Sequence, residues 1–328
     1  MRRRDFAMGL LLAAATRPMR AQERTKQNRI AIIAAGPVAR IHDPAVAFFH
    51  ALFEELRRLG DVEGQNLTVD AYSGGGRPEG YPDLAREVVN SKPAVIVALT
   101  DAITRVVRAA SNTIPIVWMG GDPIQAGLAT SLARPGGNIT GVTVNAGVEI
   151  WGKRLQILKE TVPSTTKVLY LTTRRSVGDQ QIFRESGRRL QISVIRTALE
   201  EVTPSEIEHA FAEIARDRPD AIIVNSIGDL LPYRKLIVEL AEKSRLPAIY
   251  PWREYVEAGG LVAYASDLVE LGQRMADDVH EILNGAKRGD IPIYQATKFA
   301  LVINLEAAKA LGLTLPTTLL ETADEVIE

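Results

Sequence analysis

The residue types that most often carry covalent chemistry are absent or dispersed in this 328-residue chain. There is no cysteine, which excludes disulfides, thiolate nucleophiles and Cys-ligated zinc together. The four histidines, His42, His50, His209 and His280, are scattered, and none forms an H-E-x-x-H pair. Phosphate-cradling G-x-x-x-x-G-K-[ST] and G-x-G-x-x-G loops and a G-x-S-x-G elbow are all missing. Ser164-Thr165-Thr166-Lys167 fits S-x-x-K, but Pro163 precedes it and Val168 opens an apolar run, so the helix start that this motif needs is lacking. These absences weigh against an enzyme without disproving one, and no catalytic residue, metal or cofactor is expected.

What the chain does offer is polar loops directly after apolar runs. Where such runs are parallel strands, ligands bind at their carboxyl ends, and each loop leads into a helix whose first N–H groups attract anions. Four loops qualify. Thr100-Asp101 follows Ala94–Leu99, with Thr100 as a natural N-cap. Gly120-Gly121-Asp122-Pro123 follows Ile116–Met119; its glycines allow close backbone approach and Asp122 can cap the turn. Asn225-Ser226 follows Ala221–Val224. Pro251-Trp252-Arg253-Glu254 follows Ala248–Tyr250 and brings an aromatic face, a guanidinium and a carboxylate together. The candidate ligand-binding set is Thr100, Asp101, Gly121, Asp122, Asn225, Ser226, Trp252, Arg253 and Glu254. For each, a capping or surface role is the competing reading; Trp118 reads as core.

The elements that must position these loops alternate along the chain. Apolar runs at Ile30–Ala35, Leu67–Ala71, Ala94–Leu99, Ile114–Met119 and Ile139–Val144 are near-continuous, as in sheets covered on both faces. Between them, Pro44–Leu59 reads as a helix with Asp43 as N-cap and Gly60 as C-cap, followed by helices Pro78–Val89 and Asp101–Ala110. The alternation restarts after Gly147: helix Val148–Thr161, strand Val168–Leu171, helix Gln180–Leu190, strand Ile192–Ile195, a capping box at Thr203–Glu206, strand Ala221–Asn225, helix Leu230–Ser244, strands Ala248–Tyr250 and Leu261–Ala265, and helix Leu268–Leu283. A strand Lys298–Ile303 and helix Leu305–Leu311 close the chain. Two such series predict an α/β protein of two doubly wound, Rossmann-like lobes.

Charge narrows the partners. Lys+Arg 39 against Asp+Glu 40 argues against nucleic acid or an anionic membrane surface. The first residues look like an export leader. Arg2, Arg3 and Arg4 precede the apolar stretch Ala7–Ala15, and Ala21 offers a cleavage point. Residues 1–21 are expected to be removed. Either general secretion or, from Arg3-Arg4-Asp5-Phe6, twin-arginine export would serve. Lacking a lipobox cysteine, the mature chain is expected in the periplasm with no lipid tether and no membrane insertion.

The residues resemble a known family. Gly60–Leu67 (GDVEGQNL), Gly121-Asp122-Pro123 with Gly127-Leu128, Ser131–Val142 (SLARPGGNITGV), Pro247–Leu261 (PAIYPWREYVEAGGL) and Leu301–Leu305 leading to Ala310–Leu313 are similar to the exported ABC-transporter substrate-binding proteins of the tryptophan/tyrosine-binding type, in order along the mature chain. The resemblance implies a type I periplasmic-binding fold with a three-crossing hinge near Thr143, Tyr264 and Ile293–Phe299. It places lobe 1 at 29–142 plus 268–292, and lobe 2 at 143–267 plus 293–328. It implies closure on a small organic solute, amino-acid-like or an aromatic acid, and delivery to an inner-membrane ABC permease, with the chain expected to be a monomer. Ser73-Gly74-Gly75-Gly76-Arg77-Pro78 departs from the family's common shorter turn. Alternatives are a ligand-sensing subunit of a signalling receptor, or an exported two-lobe enzyme.

Overall fold

A computed structural model of the chain describes residues 27–36, 41–44, 46–75, 77–145, 149–174 and 179–328. The expected leader (1–21), Gly76 and Val148 lie outside the described residues. In chain order the first series is β1 (Asn28–Ala34), α1 (Ala47–Leu59), β2 (Leu67–Ser73), α2 (Tyr81–Asn90), β3 (Val95–Leu99), α3 (Asp101–Ala110), β4 (Ile116–Gly120) and β5 (Ile139–Thr143). The second is α4 (Glu149–Thr161), β6 (Lys167–Thr173), α5 (Asp179–Leu190), β7 (Ser193–Leu199), α6 (Pro204–Asp217), β8 (Ala221–Val224), α7 (Arg234–Lys243), β9 (Ala248–Tyr250), α8 (Arg253–Glu257) and β10 (Val262–Ser266). Then come α9 (Leu268–Leu283), β11 (Tyr294–Gln295), β12 (Phe299–Asn304), α10 (Leu305–Ala310), α11 (Thr317–Glu321) and β13 (Glu325–Ile327).

The strands form two sheets, ordered β11-β5-β4-β3-β1-β2 and β13-β12-β10-β9-β8-β6-β7. The first is parallel throughout. The second is parallel except where β12 runs antiparallel to β10. β1, β3 and β4 are fully buried over most of their length, which explains their unbroken apolar runs. α9 returns the chain to the first lobe and packs on α1, where Gly272 permits the approach: a Cβ there would sit 2.5 Å from the Phe48 carbonyl oxygen. β4 and β5 are equally close. Gly141 has φ +134°, and a Cβ on it would meet the Trp118 carbonyl oxygen at 2.0 Å.

The chain passes between lobes after β5, after β10 and between β11 and β12. Tyr294 and Gln295 pair with Val142 and Thr143, so Thr143, Tyr294 and Gln295, all expected in the second lobe, belong to the first sheet. The second and third passages are tied together. Tyr294 Oη donates to Glu270 Oε1 at 2.7 Å, and lies 3.0 Å from Thr297 Oγ1.

Several helix ends follow their caps. Thr100 caps α3, Asp267 caps α9, Asn304 caps α10, and Gly60 ends α1 in the left-handed conformation. Asp43 does not cap α1: the helix starts at Ala47, with Val46 in the cap position and no side-chain cap bond, while the Asp43 carbonyl accepts from Val46 N–H at 2.9 Å. Asn225 falls just outside β8, which ends at Val224.

Candidate functional site

Each sheet contains the parallel order 2-1-3-4-5, reversing direction between β1 and β3 in one and between β6 and β8 in the other. The crevice outside the carboxyl ends of such strands is where this architecture takes ligands. The two carboxyl edges face each other. Thr100, at the end of β3, abuts the turn after β8: a Cβ on Gly228 would be 2.9 Å from Thr100 Cγ2. A Cβ on Gly36, after β1, would be 3.4 Å from Pro232 Cγ. The short 3-10 helix Gly228–Tyr233 therefore lies over the first lobe's β1–β3 edge. It also reaches the buried Tyr81, whose phenol is pushed up by burial and then by Asp229 and Tyr233. Gly74 makes room for this tyrosine, since a Cβ there would be 2.4 Å from Tyr81 Cε1.

In the first lobe Thr100 is backbone-strained. Its φ of 141° and ψ of 155° lie in a region occupied almost only by glycine, and such strain gathers at ligand-clamping positions. Its hydroxyl caps Ile103 N–H at 3.3 Å, and its carbonyl accepts the Thr104 hydroxyl at 2.8 Å. Thr100 thus both caps α3 and abuts Gly228 of the other lobe. Asp101 is held by the Trp118 indole, which donates to Oδ1 at 2.9 Å, and the Gly121 N–H also favours its charged form. Burial nevertheless raises its carboxyl above the ordinary range. Gly121 contributes its carbonyl to the Thr143 hydroxyl. Asp122 is exposed and spends Oδ1 on the N–H groups of Ile124 (2.9 Å) and Gln125 (3.1 Å), capping the following turn.

In the second lobe the two adjacent candidates diverge. Asn225 turns into the core, where Nδ2 donates to Tyr170 Oη and, at 2.7 Å, to Thr172 Oγ1. Ser226 accepts from Arg154 Nη1 at 2.7 Å. Arg154 is buried, with 1% of its surface exposed. It also donates from Nε (3.1 Å) and Nη2 (3.0 Å) to the Tyr264 carbonyl, and its guanidinium lies 4.9 Å from the Trp151 ring centroid. Sequence reading missed Arg154. The signal was there: it sits in the apolar stripe of α4 with Ile150, Trp151, Leu155 and Leu158, and a cation on such a stripe must find polar partners.

The Pro251–Glu254 loop is split by the fold. Trp252 is buried in the core cluster, and its indole N–H has no partner among the described residues. Arg253 is exposed and faces away from it, paired with Glu257 at 2.8 Å and, in fork-to-fork fashion, with Glu325 on β13. Its guanidinium is thus committed to the C-terminal strand. Glu254 is half-buried; its Oε2 has no partner among the described residues, and burial raises its carboxyl despite Arg234 and Arg253. Behind the loop Tyr250 and Tyr255 stack with centroids 4.9 Å apart. The polar groups brought to the facing edges are therefore Thr100, Asp101, Gly121 and Ser226, backed by Arg154.

Among the described residues no group of three His, Asp or Glu side chains is placed to hold a metal ion. No helix among them is long and apolar enough to cross a membrane.

Comparison with known proteins matches this arrangement. The family model for ABC transporter substrate binding proteins matches residues 37–327. A tyrosine-binding protein from Clostridioides difficile (strain R20291) is 24% identical over 262 residues, 79% of this chain and 74% of that protein. Two solved structures each superpose with a TM-score of 0.83 over 92% of this chain and 100% of the other: a conserved domain protein from Vibrio cholerae (24% identity) and an ABC domain from Streptococcus pneumoniae in complex with L-Trp (21% identity). A ligand-free, open substrate-binding protein with adhesive properties from Clostridium difficile, 20% identical, gives 0.64 over 92% of this chain and 99% of that one.

Proposed function

Because this chain belongs to the ABC transporter substrate-binding protein family, we propose that it is the exported solute-binding component of an importer, closing on an amino-acid-like or aromatic acid ligand in the periplasm and handing it to an inner-membrane permease. The observation that carries the reading is the apposition of two carboxyl edges, Thr100 against Gly228, across lobes joined by three thin passages. Lobes so joined open and close by rotation at the passages. A solute touching both edges stabilises the closed state by its differential affinity for that state and by no more. Greater overall agreement with the L-Trp complex than with the ligand-free open protein supports reading the present arrangement as closed.

An α-amino acid suits the groups at the edges. Its carboxylate fits the N–H groups at the start of α3, where the helix dipole favours negative charge. Its ammonium fits the Asp101 carboxylate. The relative named for tyrosine and the neighbour holding L-Trp support an aromatic side chain.

The test is a thermal-shift and calorimetric screen of the leaderless chain against the proteinogenic amino acids and aromatic acids, with mass spectrometry of co-purifying solute. A raised Tm, an intact recovered ligand and a smaller radius of gyration on binding are expected. No shift with any of these compounds, or chemical turnover of the bound one, overturns the proposal.

A further inference from the structure

Arg154 and Ser226 form a relay at the carboxyl edge of the second sheet. A guanidinium has donors and no acceptor, so in the 2.7 Å contact between them Ser226 Oγ is the acceptor. The serine's own hydrogen must point elsewhere. Among the described residues Ser226 Oγ has no other partner, although the residue is buried, with 6% of its surface exposed. Ser226 directly follows Asn225, and two residues later Gly228 abuts Thr100 of the other lobe. The hydroxyl is therefore a donor stationed next to the interlobe contact.

The fold fixes the arginine that sets it. β9 pairs with β10 only as far as Ala263, and the Tyr264 carbonyl, one residue beyond, accepts both Nε and Nη2 of Arg154. The Trp151 ring covers one guanidinium face. A cation held in this way both orients the hydroxyl and polarises it, strengthening its outward hydrogen bond.

We propose that Arg154 is a positioning residue that turns the Ser226 O–H toward the interlobe cleft, where it donates to the carboxylate of an amino-acid ligand. This rests on the amino-acid reading of the cleft and names one atom that would enforce it. The contact forms only when the lobes close, so it favours carboxylate-bearing solutes in the closed state.

Calorimetry with L-tyrosine, L-tryptophan and their carboxamides, which keep the ammonium and lose the carboxylate, tests this on wild type, Ser226→Ala and Arg154→Lys. The expected wild type prefers the acid to the amide. In Ser226→Ala the acid's Kd rises about tenfold or more, as for a lost hydrogen bond to a charged group, and the acid-to-amide preference shrinks. Arg154→Lys, which keeps the charge but cannot bracket the Tyr264 carbonyl, falls between. Ser226→Ala also takes an acceptor from the buried Arg154 guanidinium and is expected to lower the ligand-free Tm, so the ratio of acid to amide affinity, both measured on the same folded variant, separates lost recognition from lost stability. An undiminished preference in Ser226→Ala, or equal weakening of acid and amide, overturns the relay while leaving the amino-acid reading standing. A wild type that binds none of the four compounds removes that reading and the relay with it.

Discussion

The Trp118 indole and the Asp101 carboxylate meet at 2.9 Å, and the backbone of Gly120 fills the space beside them. A Cβ at residue 120 would lie 2.1 Å from Asp101 Oδ1 and 2.5 Å from Trp118 Nε1, whereas one at 121 would be 3.4 Å from Asp101 Oδ2. Gly120→Ala is thus expected to displace the carboxylate, lower stability by about 1–3 kcal/mol and weaken ligand binding. Gly121→Ala should fold almost as well as wild type. Urea denaturation of the pair checks this, and equal losses would show that the carboxylate is not the obstacle.

Arg253 was a candidate grip for a ligand carboxylate, but its guanidinium is engaged by Glu257 and Glu325 at the surface. Arg253→Ala is expected to leave ligand affinity within about twofold. Exposed ion pairs are weak, so the stability loss is expected to stay under ~1 kcal/mol. Hydrogen exchange should quicken at Glu325–Ile327, the strand that Arg253 pins. A tenfold loss of affinity would return Arg253 to the site.

Trp252 needs a gentler probe than truncation. It is 5% exposed and belongs to the core cluster, so Trp252→Ala is expected to cost about 3–5 kcal/mol through the cavity it leaves. Loss of binding in that variant reports on folding. Trp252→Phe keeps most of the volume and removes an indole N–H that has no partner among the described residues; it is expected to bind like wild type within a few-fold, as read by calorimetry.

Asp278, on α9, gives stability a pH slope. Its carboxyl is pushed up to about 8, by burial first and then by Glu281 and Asp277, and its Oδ2 has no partner among the described residues. In the unfolded chain it ionises near pH ~4. Between these values the native state holds a proton that the unfolded state has released. Its contribution is therefore complete below about pH 4 and is lost as pH rises through about 8. Asp278→Asn is expected to flatten the decline of chemical-denaturation stability from pH 5 to 8, by on the order of 3–4 kcal/mol. An unchanged slope would show that the carboxyl titrates normally.

Local signals made much of the framework legible. The bounds of Asp101–Ala110 and Leu268–Leu283 match the observed helices because Thr100 and Asp267 cap them by side-chain bonds. The continuous apolar runs gave the buried strands. What stayed hidden depends on partners far along the chain. Arg253 is engaged by Glu325, a residue of a terminal strand too short to announce itself. β11 has two residues and exists only through its pairing with β5. Asn225 and Ser226 are equivalent as sequence, and only the packing of Tyr170 and Arg154 gives each buried side chain a different partner.

At Gly141, the φ of +134° and the Trp118 carbonyl where a Cβ would stand reach down to the gene. All four codons for glycine share their first two bases, so any change there brings a side chain into the neighbouring strand, or a stop. Only the third base of that triplet is left able to drift.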